Sequence, residues 1–421
     1  MADVANDSDE AESRNYSFNL LVDLPEISEY VLKKLPMKSL NTCARVCKSW
    51  NEQVKRIKKH RKQPSWFMST IPYHLEDFGK LFHEQFSKAV QNLSSEPNIA
   101  MFFCCTPVFE KPVAVPSSVV KPNHRRNSTQ RATKLYKQNV MDYVKTMLPD
   151  ECMLLGLTTE GIIGTTPDNS ISVEMESADA GSILLLPKTD AVEFYPIHLY
   201  QDNVVLNTRD DIEEHLGIPK DKNVKALLIF YVVDGVMNPR TDNLIITFMN
   251  IYDDIVISGG YVDNILLQNE PLYELMHQLS WVGCLEEDYC IGLALCGDHL
   301  SVSSCRLTET IKSPAAAETC IKQLYDSHKL RTFNLGFQFA CIGRGWHHYR
   351  SQNVEANLFK KYFPTVPLHG FFGNGEIGHD HFHQSSENVK KDKKLGKKCK
   401  IGSLLHSYNT IMTVISWGET L

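Results

Sequence analysis

The chain of 421 residues lacks several features that would assign it to a common functional class. Its twelve cysteines include no Cys-x-x-Cys pair, so the spacing of zinc ribbons and dithiol redox sites is missing and we expect free thiols. The longest strongly apolar run, residues 226–233, is far shorter than the roughly 20 residues that a membrane-spanning helix needs. The net charge of −6 argues against general nucleic-acid binding. A hydrophobic content of 43% is that of a globular protein, and the length allows two or three domains.

Three segments have compositions that do not favour a packed core. Residues 1–16 are acidic and polar and lack the basic and then apolar regions of a signal peptide, so we expect a disordered tail. Residues 108–137 contain three prolines and a basic polar string, which is typical of a loop. Residues 384–402 include a stretch with seven lysines in eleven positions, and we predict a solvated lysine-rich loop there.

The most informative segment is 24–50, LPEISEYVLKKLPMKSLNTCARVCKSW. Leu-Pro steps at 24–25 and 35–36 each open a short helical pattern, because proline suits the first turn of a helix, where its missing N–H would have no partner. The apolar residues that follow recur at helical spacing. Three short helices contain too little apolar mass for an independent core. The segment therefore predicts a unit that completes its core against another protein, with an ordinary helical hairpin as the alternative.

The rest of the chain mixes helical and strand patterns and shows no internal repeat. Apolar residues on one face predict a helix around Phe82, and Ser313 followed by proline predicts the start of another. Residues 210–216 are predicted to form a short helix that ends at Gly217. We also expect a Gly-Gly turn at 259–260 and a β-hairpin that joins 290–296 to 300–307. Strands and helices neither alternate regularly nor reduce to an all-β pattern, so the predicted fold class is α+β.

Two motifs near the C-terminal end invite a chemical interpretation. GNGEIG at 373–378 matches the Gly-x-Gly-x-x-Gly pattern of dinucleotide sites, but a polar HDHFHQSS segment follows it where such a site needs an apolar helix. A tight turn that presents Glu376 is the favoured interpretation. His379, His381 and His383 would lie on one side of an extended chain and could bind a metal. A polar loop edge is the alternative, and we assign no metal site.

Cys341 is the thiol with the most suggestive surroundings. It ends an apolar strand, three residues before Arg344, and a nearby guanidinium would favour the thiolate and lower the pKa of the thiol. The alternative is an inert packing cysteine. The turns at 341–345 and 373–378 both follow apolar strands and are rich in glycine, so we predict a ligand or target pocket between them. The candidate pocket residues are Cys341, Arg344, Asn374 and Glu376.

These motifs carry a wider resemblance. The order Leu-Pro, Leu-Pro, Leu, Val-Cys-Lys-Ser-Trp resembles an F-box, the module that docks substrate receptors onto a Skp-type adaptor of a cullin ubiquitin ligase. Residues 335–350, LGFQFACIGRGWHHYR, and 366–378, VPLHGFFGNGEIG, resemble the C-terminal half of a FIST domain. Residues 65–260, with ISGG at 257–260, are compatible with the N-terminal half. The chain is therefore similar to F-box proteins that carry FIST N- and C-terminal domains.

The resemblance implies a domain order and a function. It implies the tail at 1–16, an F-box at 17–63, a FIST N-terminal-like domain at 64–220 and a FIST C-terminal-like domain at 221–421. The chain would be the non-catalytic substrate-recognition subunit of a Skp–cullin–F-box ligase and would direct proteins to ubiquitination and proteasomal degradation. The residues implied to bind the adaptor are Leu24, Pro25, Ile27, Leu35, Leu40, Val46 and Trp50.

The resemblance also implies partners and a location. The partners would be a Skp-type adaptor, a cullin–RING ligase through that adaptor, and protein substrates such as transcription regulators and chromatin enzymes. It implies cytoplasmic and nuclear work, with no cofactor, no membrane and no direct nucleic-acid contact. One alternative is a small-molecule sensor whose FIST-like pocket is the main function and whose ligase link is regulatory. Another is an enzyme that uses Cys341 or the 373–378 turn.

Overall fold

A computed structural model gives the fold of the chain. It describes residues 21, 24–71, 78–109, 113–115, 136–138, 140–176, 179–200, 206–232, 239–266, 289–382 and 404–420. The predicted tail at 1–16 and the predicted lysine-rich loop at 384–402 lie outside these residues. The chain divides into two compact units, residues 1–61 and residues 62–421. No helix within the described ranges is long and apolar enough to cross a membrane.

The N-terminal unit is helical, and both helices and strands follow it in the second unit. The helices are α1 Pro25–Leu32, α2 Met37–Cys43, α3 Lys48–His60, α4 Phe78–Gln91, α5 Thr106–Phe109, α6 Val140–Met147, α7 Arg209–Leu216, α8 Pro239–Ile251, α9 Pro314–Ser327, α10 Trp346–Tyr349 and α11 Val354–Tyr362. The strands are β1 Ser65–Ile71, β2 Pro97–Cys105, β3 Val113–Val115, β4 Tyr136–Gln138, β5 Met153–Thr159, β6 Gly161–Thr165, β7 Ser172–Glu176, β8 Asp179–Pro187, β9 Glu193–Tyr200, β10 Val224–Val232, β11 Val256–Val262, β12 Asn264–Leu266, β13 Tyr289–Cys296, β14 Ser301–Leu307, β15 Arg331–Cys341, β16 Leu368–Gly373, β17 Glu376–Gly378, β18 Leu405–His406 and β19 Thr410–Thr420. The predicted α+β class is confirmed.

The first unit is a bundle of α1, α2 and α3, and both Leu-Pro steps open helices as predicted. Arg61 ties the end of α3 to the corner between α1 and α2, since its guanidinium donates to Leu35 O at 2.7 Å and to Lys33 O at 2.8 Å. The core of the unit consists of Leu32, Met37, Leu40, Val54 and Ile57. Five buried apolar side chains are few for an independent domain.

Local signals place several boundaries in the second unit. Ser313 is the N-cap of α9, and its side chain accepts from Ala316 N. Gly217 ends α7 in a left-handed conformation with φ +68°. The predicted helix around Phe82 is α4, whose Phe82 and Phe86 are fully buried. These predictions are confirmed.

The second unit contains three large sheets that share one plan. The strand orders are β1-β8-β2-β5-β12, β9-β13-β10-β11-β17-β18 and β14-β19-β15-β16-β6-β7, beside the small pair β3-β4. In each large sheet an edge strand is antiparallel to its neighbour, which is antiparallel to the first strand of a central parallel pair. A strand from elsewhere in the chain then adds to the other side of the pair.

The shared plan reveals three structural repeats. Repeat 1 spans 65–187, repeat 2 spans 193–296 and repeat 3 spans 301–420. Each runs in the order edge strand, helix, central strand, helix, central strand, exported strand, return strand. The expectation that the chain has no repeat is therefore wrong for the structure, because equivalent positions share topology and register while their residue types differ.

The exported strands link the repeats in a closed cycle. Repeat 1 contributes β6 and β7 to the sheet of repeat 3, repeat 3 contributes β17 and β18 to the sheet of repeat 2, and repeat 2 contributes β12 to the sheet of repeat 1. In each sheet one exported strand, β6, β17 or β12, is antiparallel to the second central strand of the sheet that receives it. No large sheet therefore consists of one repeat alone.

The register of the exchange is the same in all three sheets. A glycine in the second central strand pairs on one side with the exported strand and on the other with the first central strand. The glycines are Gly156, Gly259 and Gly370. Gly259 and Gly370 lie where the chains approach closely, because a Cβ on them would meet a carbonyl oxygen of the neighbouring strand at 1.7 and 1.8 Å. The expected Gly-Gly turn at 259–260 is wrong, because both residues lie inside β11.

Three phenylalanines occupy equivalent positions in the first central strands. Phe103, Phe230 and Phe339 are fully buried, and Phe230 lies 6.4 Å from Phe103 and 5.5 Å from Phe339 between ring centroids. Phe371 lies 6.3, 5.8 and 5.1 Å from Phe103, Phe230 and Phe339. All three repeats therefore share one aromatic core, stabilised by edge-to-face and tilted ring contacts.

Two further predictions differ from the structure. The segments 290–296 and 300–307 do not form a hairpin, because β13 belongs to the sheet of repeat 2 while β14 starts repeat 3. The expected boundary at residue 220 falls between α7 and β10, inside repeat 2. The division into two FIST-type halves stays a prediction, and the three sheets do not follow it.

The close approach at the exchange sites generates a test. Gly259→Ala and Gly370→Ala should each lower the free energy of unfolding by about 3 kcal/mol, because the added Cβ meets a carbonyl oxygen in a strand that cannot shift freely. Gly217→Ala is the control, since a Cβ there meets nothing within 4 Å and strain at φ +68° costs only about 1 kcal/mol. Urea unfolding of the three variants measures this. Equal losses at all three glycines would contradict the described strand crossing.

Candidate functional site

The first unit exposes an unusual amount of apolar surface. Of the ten large hydrophobic residues that are exposed in the described chain, five belong to this small unit. They are Leu21, Ile27, Tyr30, Val31 and Val46. Tyr30 and Val46 are 67% and 64% exposed. So much exposed apolar side chain on so small a unit is typical of a protein-binding site.

The structure sorts the seven predicted adaptor-binding residues into three groups. Pro25, Ile27 and Val46 are exposed and available to a partner. Leu24, Leu35 and Trp50 are half-buried. Leu40 is fully buried in the core of the unit itself, so its role within this structure is to hold the three helices together.

A second candidate site lies in the turn that follows β15. The Arg344 N–H donates to Cys341 O at 2.8 Å, and Ile342 N donates to Gly373 O at 3.0 Å. The predicted turns at 341–345 and 373–378 are therefore hydrogen-bonded neighbours at the carboxyl ends of β15 and β16. This end of a parallel pair is where sites of open sheets collect.

Arg344 is fully buried and bonded only within the protein. Its guanidinium forms an ion pair with Glu355 and donates to the Tyr349 hydroxyl at 2.7 Å. It also donates to Thr308 O at 3.0 Å and to Tyr408 O at 3.5 Å. The prediction that Arg344 faces a ligand does not fit this burial. Its guanidinium is fully engaged by groups of the protein, so its role is to stabilise the turn. Breaking such a buried pair typically costs about 3–5 kcal/mol.

Buried carboxyls extend this network into repeat 1. Gln338 Nε2 donates to Glu355 Oε2 at 3.2 Å and to Glu174 Oε1 at 3.1 Å, and Ala356 N donates to Glu174 Oε1 at 2.7 Å. Burial, followed by the charge of Glu355, raises the pKa of Glu174 to about 8. Glu174 therefore holds its proton at neutral pH, which avoids an uncompensated charge beside the carboxylate of Glu355.

Glu376 and Cys341 form a separate buried pair. Asn409 N donates to Glu376 Oε2 at 2.9 Å, and the Cys341 thiol faces the same carboxyl. Burial raises the pKa of Glu376 to about 8. Burial and then the Glu376 charge raise the pKa of Cys341, whose residue is only 8% exposed. The expected lowering of the Cys341 pKa by Arg344 is wrong, because the guanidinium is engaged with Glu355 while the thiol faces a carboxyl.

The repeats show how unusual Glu376 is. It is the first residue of β17, and in the matching register repeat 1 has Ile162 and repeat 2 has Ile265. All three side chains are buried. A carboxyl thus stands in repeat 3 where the other two repeats have an apolar side chain, and Glu376 Oε1 has no N–H or O–H partner. Sequence periodicity could not find this contrast, because the repeats become visible only in the topology.

The remaining motifs have structural explanations. Asn374 is exposed in the tight turn between β16 and β17, and the last three residues of GNGEIG form strand β17 where a dinucleotide site needs the start of a helix. His381 lies 3.6 Å from an Asp254 oxygen, and burial lowers the pKa of His379 to about 4. His383 is outside the described residues. Among the described residues no group of three His, Cys, Asp or Glu side chains could hold a metal.

Comparison with known proteins identifies the two regions. An F-box domain model matches residues 21–62, and a FIST C domain model matches residues 295–379. The chain carries an F-box domain and a FIST C domain. It is 28% identical to F-box only protein 22 of Homo sapiens over 409 residues, which are 95% of this chain and 94% of that protein. The same protein of Pongo abelii matches with the same identity and coverage.

A solved structure, cyanuric acid hydrolase from A. caulinodans, also aligns with the chain. The alignment covers 84% of this chain and 99% of the hydrolase chain, with 9% sequence identity and a TM-score of 0.31. A likeness this low supports no conclusion about fold or activity.

The FIST C match contains most of the buried network but not all of it. Cys341, Arg344, Glu355 and Glu376 lie inside residues 295–379, whereas Glu174 arrives from repeat 1 on an exported strand. Glycine-rich turns mark Cys341, Arg344 and Glu376 in the sequence. No local pattern marks Glu174, Gln338, Glu355 or Asn409, because most of their hydrogen-bond partners lie on other elements of the fold.

The raised pKa of Glu376 generates a test of pH dependence. The carboxyl is protonated in the folded protein up to pH of about 8 but ionises in the unfolded chain near its ordinary value of 4.5. The stability that it contributes is present below pH 4.5 and is lost as the pH rises to about 8. Glu376→Gln keeps an acceptor for Asn409 N–H and should remove a slope of at most about 1.4 kcal/mol per pH unit.

Urea unfolding of the two proteins from pH 5 to pH 9 measures this difference. Glu151→Gln, which changes an exposed carboxyl, is the control and should leave the slope unchanged. A Glu376→Gln profile parallel to that of the unmodified protein would show that Glu376 is ionised in the folded state.

Proposed function

We propose that this F-box protein is the substrate-recognition subunit of a Skp–cullin–F-box ubiquitin ligase and directs target proteins to ubiquitination and proteasomal degradation. The observation that carries the proposal is the exposed apolar surface around Ile27, Tyr30 and Val46 on the unit that matches the F-box model. The similarity to F-box only protein 22 along most of the chain supports it. We also propose that the protein acts on protein substrates in the cytoplasm and the nucleus, in line with the family resemblance.

The proposed mechanism needs no acid, base or nucleophile from this chain. The F-box unit binds a Skp-type adaptor and, through it, a cullin–RING ligase, while residues 62–421 hold the target. Tethering raises the effective concentration of a target lysine near the ubiquitin-loaded enzyme. The buried network around Arg344 is consistent with such a non-catalytic role, because its charged groups bond to one another and are closed to solvent.

The exposed apolar residues provide the direct test. Ile27→Ala combined with Val46→Ala should weaken adaptor binding at least tenfold, since each aliphatic carbon that the partner buries contributes about 0.8 kcal/mol. The helical fold should persist because both side chains are exposed. Titration of a purified Skp-type adaptor, with circular dichroism on the same samples, separates binding from folding.

Two controls sharpen the experiment. Met153→Ala combined with Ile171→Ala removes similarly exposed apolar side chains from the second unit and should leave adaptor binding unchanged. Leu40→Ala removes a core side chain and should instead unfold the small unit, at a cost of about 2–5 kcal/mol. Unchanged adaptor affinity in the Ile27 and Val46 double variant would contradict the proposal.

The division into two units generates a second test. Residues 62–421 alone should still bind targets but fail to bind the adaptor, so their expression should stabilise the targets and inhibit the full chain. Target half-lives in cycloheximide chases, with and without this fragment, measure the effect. Targets that co-purify with residues 1–61 alone would contradict this division of labour.

A further inference from the structure

The carboxyl end of the β15 and β16 pair carries two exposed aromatic side chains. Trp346 is 44% exposed and Tyr408 is 58% exposed. The Tyr408 ring lies beside Gly343, where an added Cβ would meet it at 3.1 Å, and Tyr408 O accepts from the Arg344 guanidinium. Both aromatic residues therefore border the same turn, and exposed Asn374 follows Gly373, whose carbonyl accepts from Ile342 N.

Arg350 adds a positive charge to this surface. Its guanidinium lies over the Trp346 ring, 5.3 Å from the centroid, and the residue is exposed. Among the residues that the structure describes, no carboxylate forms an ion pair with Arg350. The group therefore keeps its hydrogen-bonding fork available for an acceptor such as a carboxylate.

The backbone around this surface is strained. Five non-glycine residues in the described chain have positive φ, and Arg350, Asn353 and Tyr408 belong to the segments that border the turn, with φ of +53°, +58° and +60°. An aromatic residue rarely adopts this conformation, which favours glycine and asparagine. Such strain persists where surrounding structure fixes it, and it collects at binding sites.

Hydrogen bonds fix the backbone that carries Trp346 and Arg350, and Tyr349 links it to the buried network. Trp346 N donates to Glu176 Oε1 at 2.7 Å, and Arg350 N donates to Trp346 O at 2.7 Å. Tyr349, between the two exposed residues, packs inward and donates to Glu355 at 2.8 Å. The exposed groups are therefore held in place before any partner arrives, which reduces the entropy lost on binding.

We propose that Trp346, Arg350, Tyr408 and Asn374 form the docking surface for an extended segment of a target protein that carries an acidic side chain next to an apolar one. This inference rests on the proposed function as a substrate receptor. Trp, Tyr and Arg are the residue types that dominate protein interfaces, and the unpaired Arg350 selects a carboxylate. A single-stranded nucleic acid would also stack on the aromatic rings, but the acidic net charge of the chain opposes its backbone.

Selection from a displayed library of random twelve-residue peptides tests the proposal, with the full chain bound to its Skp-type adaptor as bait. We expect enriched peptides to share an acidic residue next to Leu, Ile, Phe or Met. Trp346→Ala should lower the affinity for a synthetic copy of an enriched peptide at least tenfold. Arg350→Asn should do the same, and asparagine tolerates the left-handed backbone at this position, so the variant should fold.

Tyr325→Ala is the matched control, because Tyr325 is a similarly exposed aromatic on α9 of the same repeat. It should leave peptide binding unchanged. The proposal is overturned if no peptide is enriched, if the enriched peptides lack carboxylates, or if Trp346→Ala and Arg350→Asn bind them as the unmodified protein does. Adaptor binding is measured on the same samples, so loss of adaptor binding reports failure of the proposed function and leaves the peptide result to be judged separately.

Discussion

The exchange of strands among three repeats is the constraint on which the second unit depends. Each repeat has a parallel pair whose second strand would be left with an open edge, and the exported strand of another repeat covers that edge with backbone hydrogen bonds. An unpaired edge costs hydrogen bonds and invites aggregation. Since the three donations form a closed cycle, no repeat can complete its sheet alone. Folding of residues 62–421 is therefore expected to be cooperative across all three repeats.

The exchange also explains why the buried polar network lies in repeat 3. The β6–β7 pair of repeat 1 brings Glu174 beside Gln338 and Glu355, so a network centred on Arg344 includes a carboxyl from a distant part of the chain. Low polarity in the interior strengthens these bonds but also penalises each extra charge. Protonation of Glu174 and Glu376 is the physical response to that penalty. Repeats 1 and 2 have isoleucine at the position of Glu376 and so carry no buried carboxyl there. Repeat 3 therefore differs chemically from the other two repeats although it shares their fold.

Local chemistry was predictable from the sequence, and long-range pairing was not. Proline after Leu24 and Leu35, serine before Pro314 and glycine after Leu216 act within one helical turn, and the structure confirms each boundary. The predicted hairpin between 290–296 and 300–307 failed because two adjacent strands with a Gly-Asp-His connection need not pair when each has a better partner elsewhere. The sequence does not show the repeats, because the shared strand register restricts the residue type only where strands approach closely, as at Gly259 and Gly370. The side chains at other equivalent positions were free to diverge, as Ile162, Ile265 and Glu376 show.

The two units differ in the size of their hydrophobic cores, and this difference suits them to different roles. The first unit has five buried core side chains and leaves residues such as Tyr30 and Val46 in solvent, so its free surface favours association over solitary stability. The second unit buries an aromatic cluster that joins all three repeats, formed by Phe103, Phe230, Phe339 and Phe371. It also contains exposed residues with a strained backbone, such as Tyr408. A positive φ at Tyr408 costs on the order of 1–3 kcal/mol, and the large core of the second unit offsets this cost. The second unit can therefore hold such a residue in a fixed, exposed position.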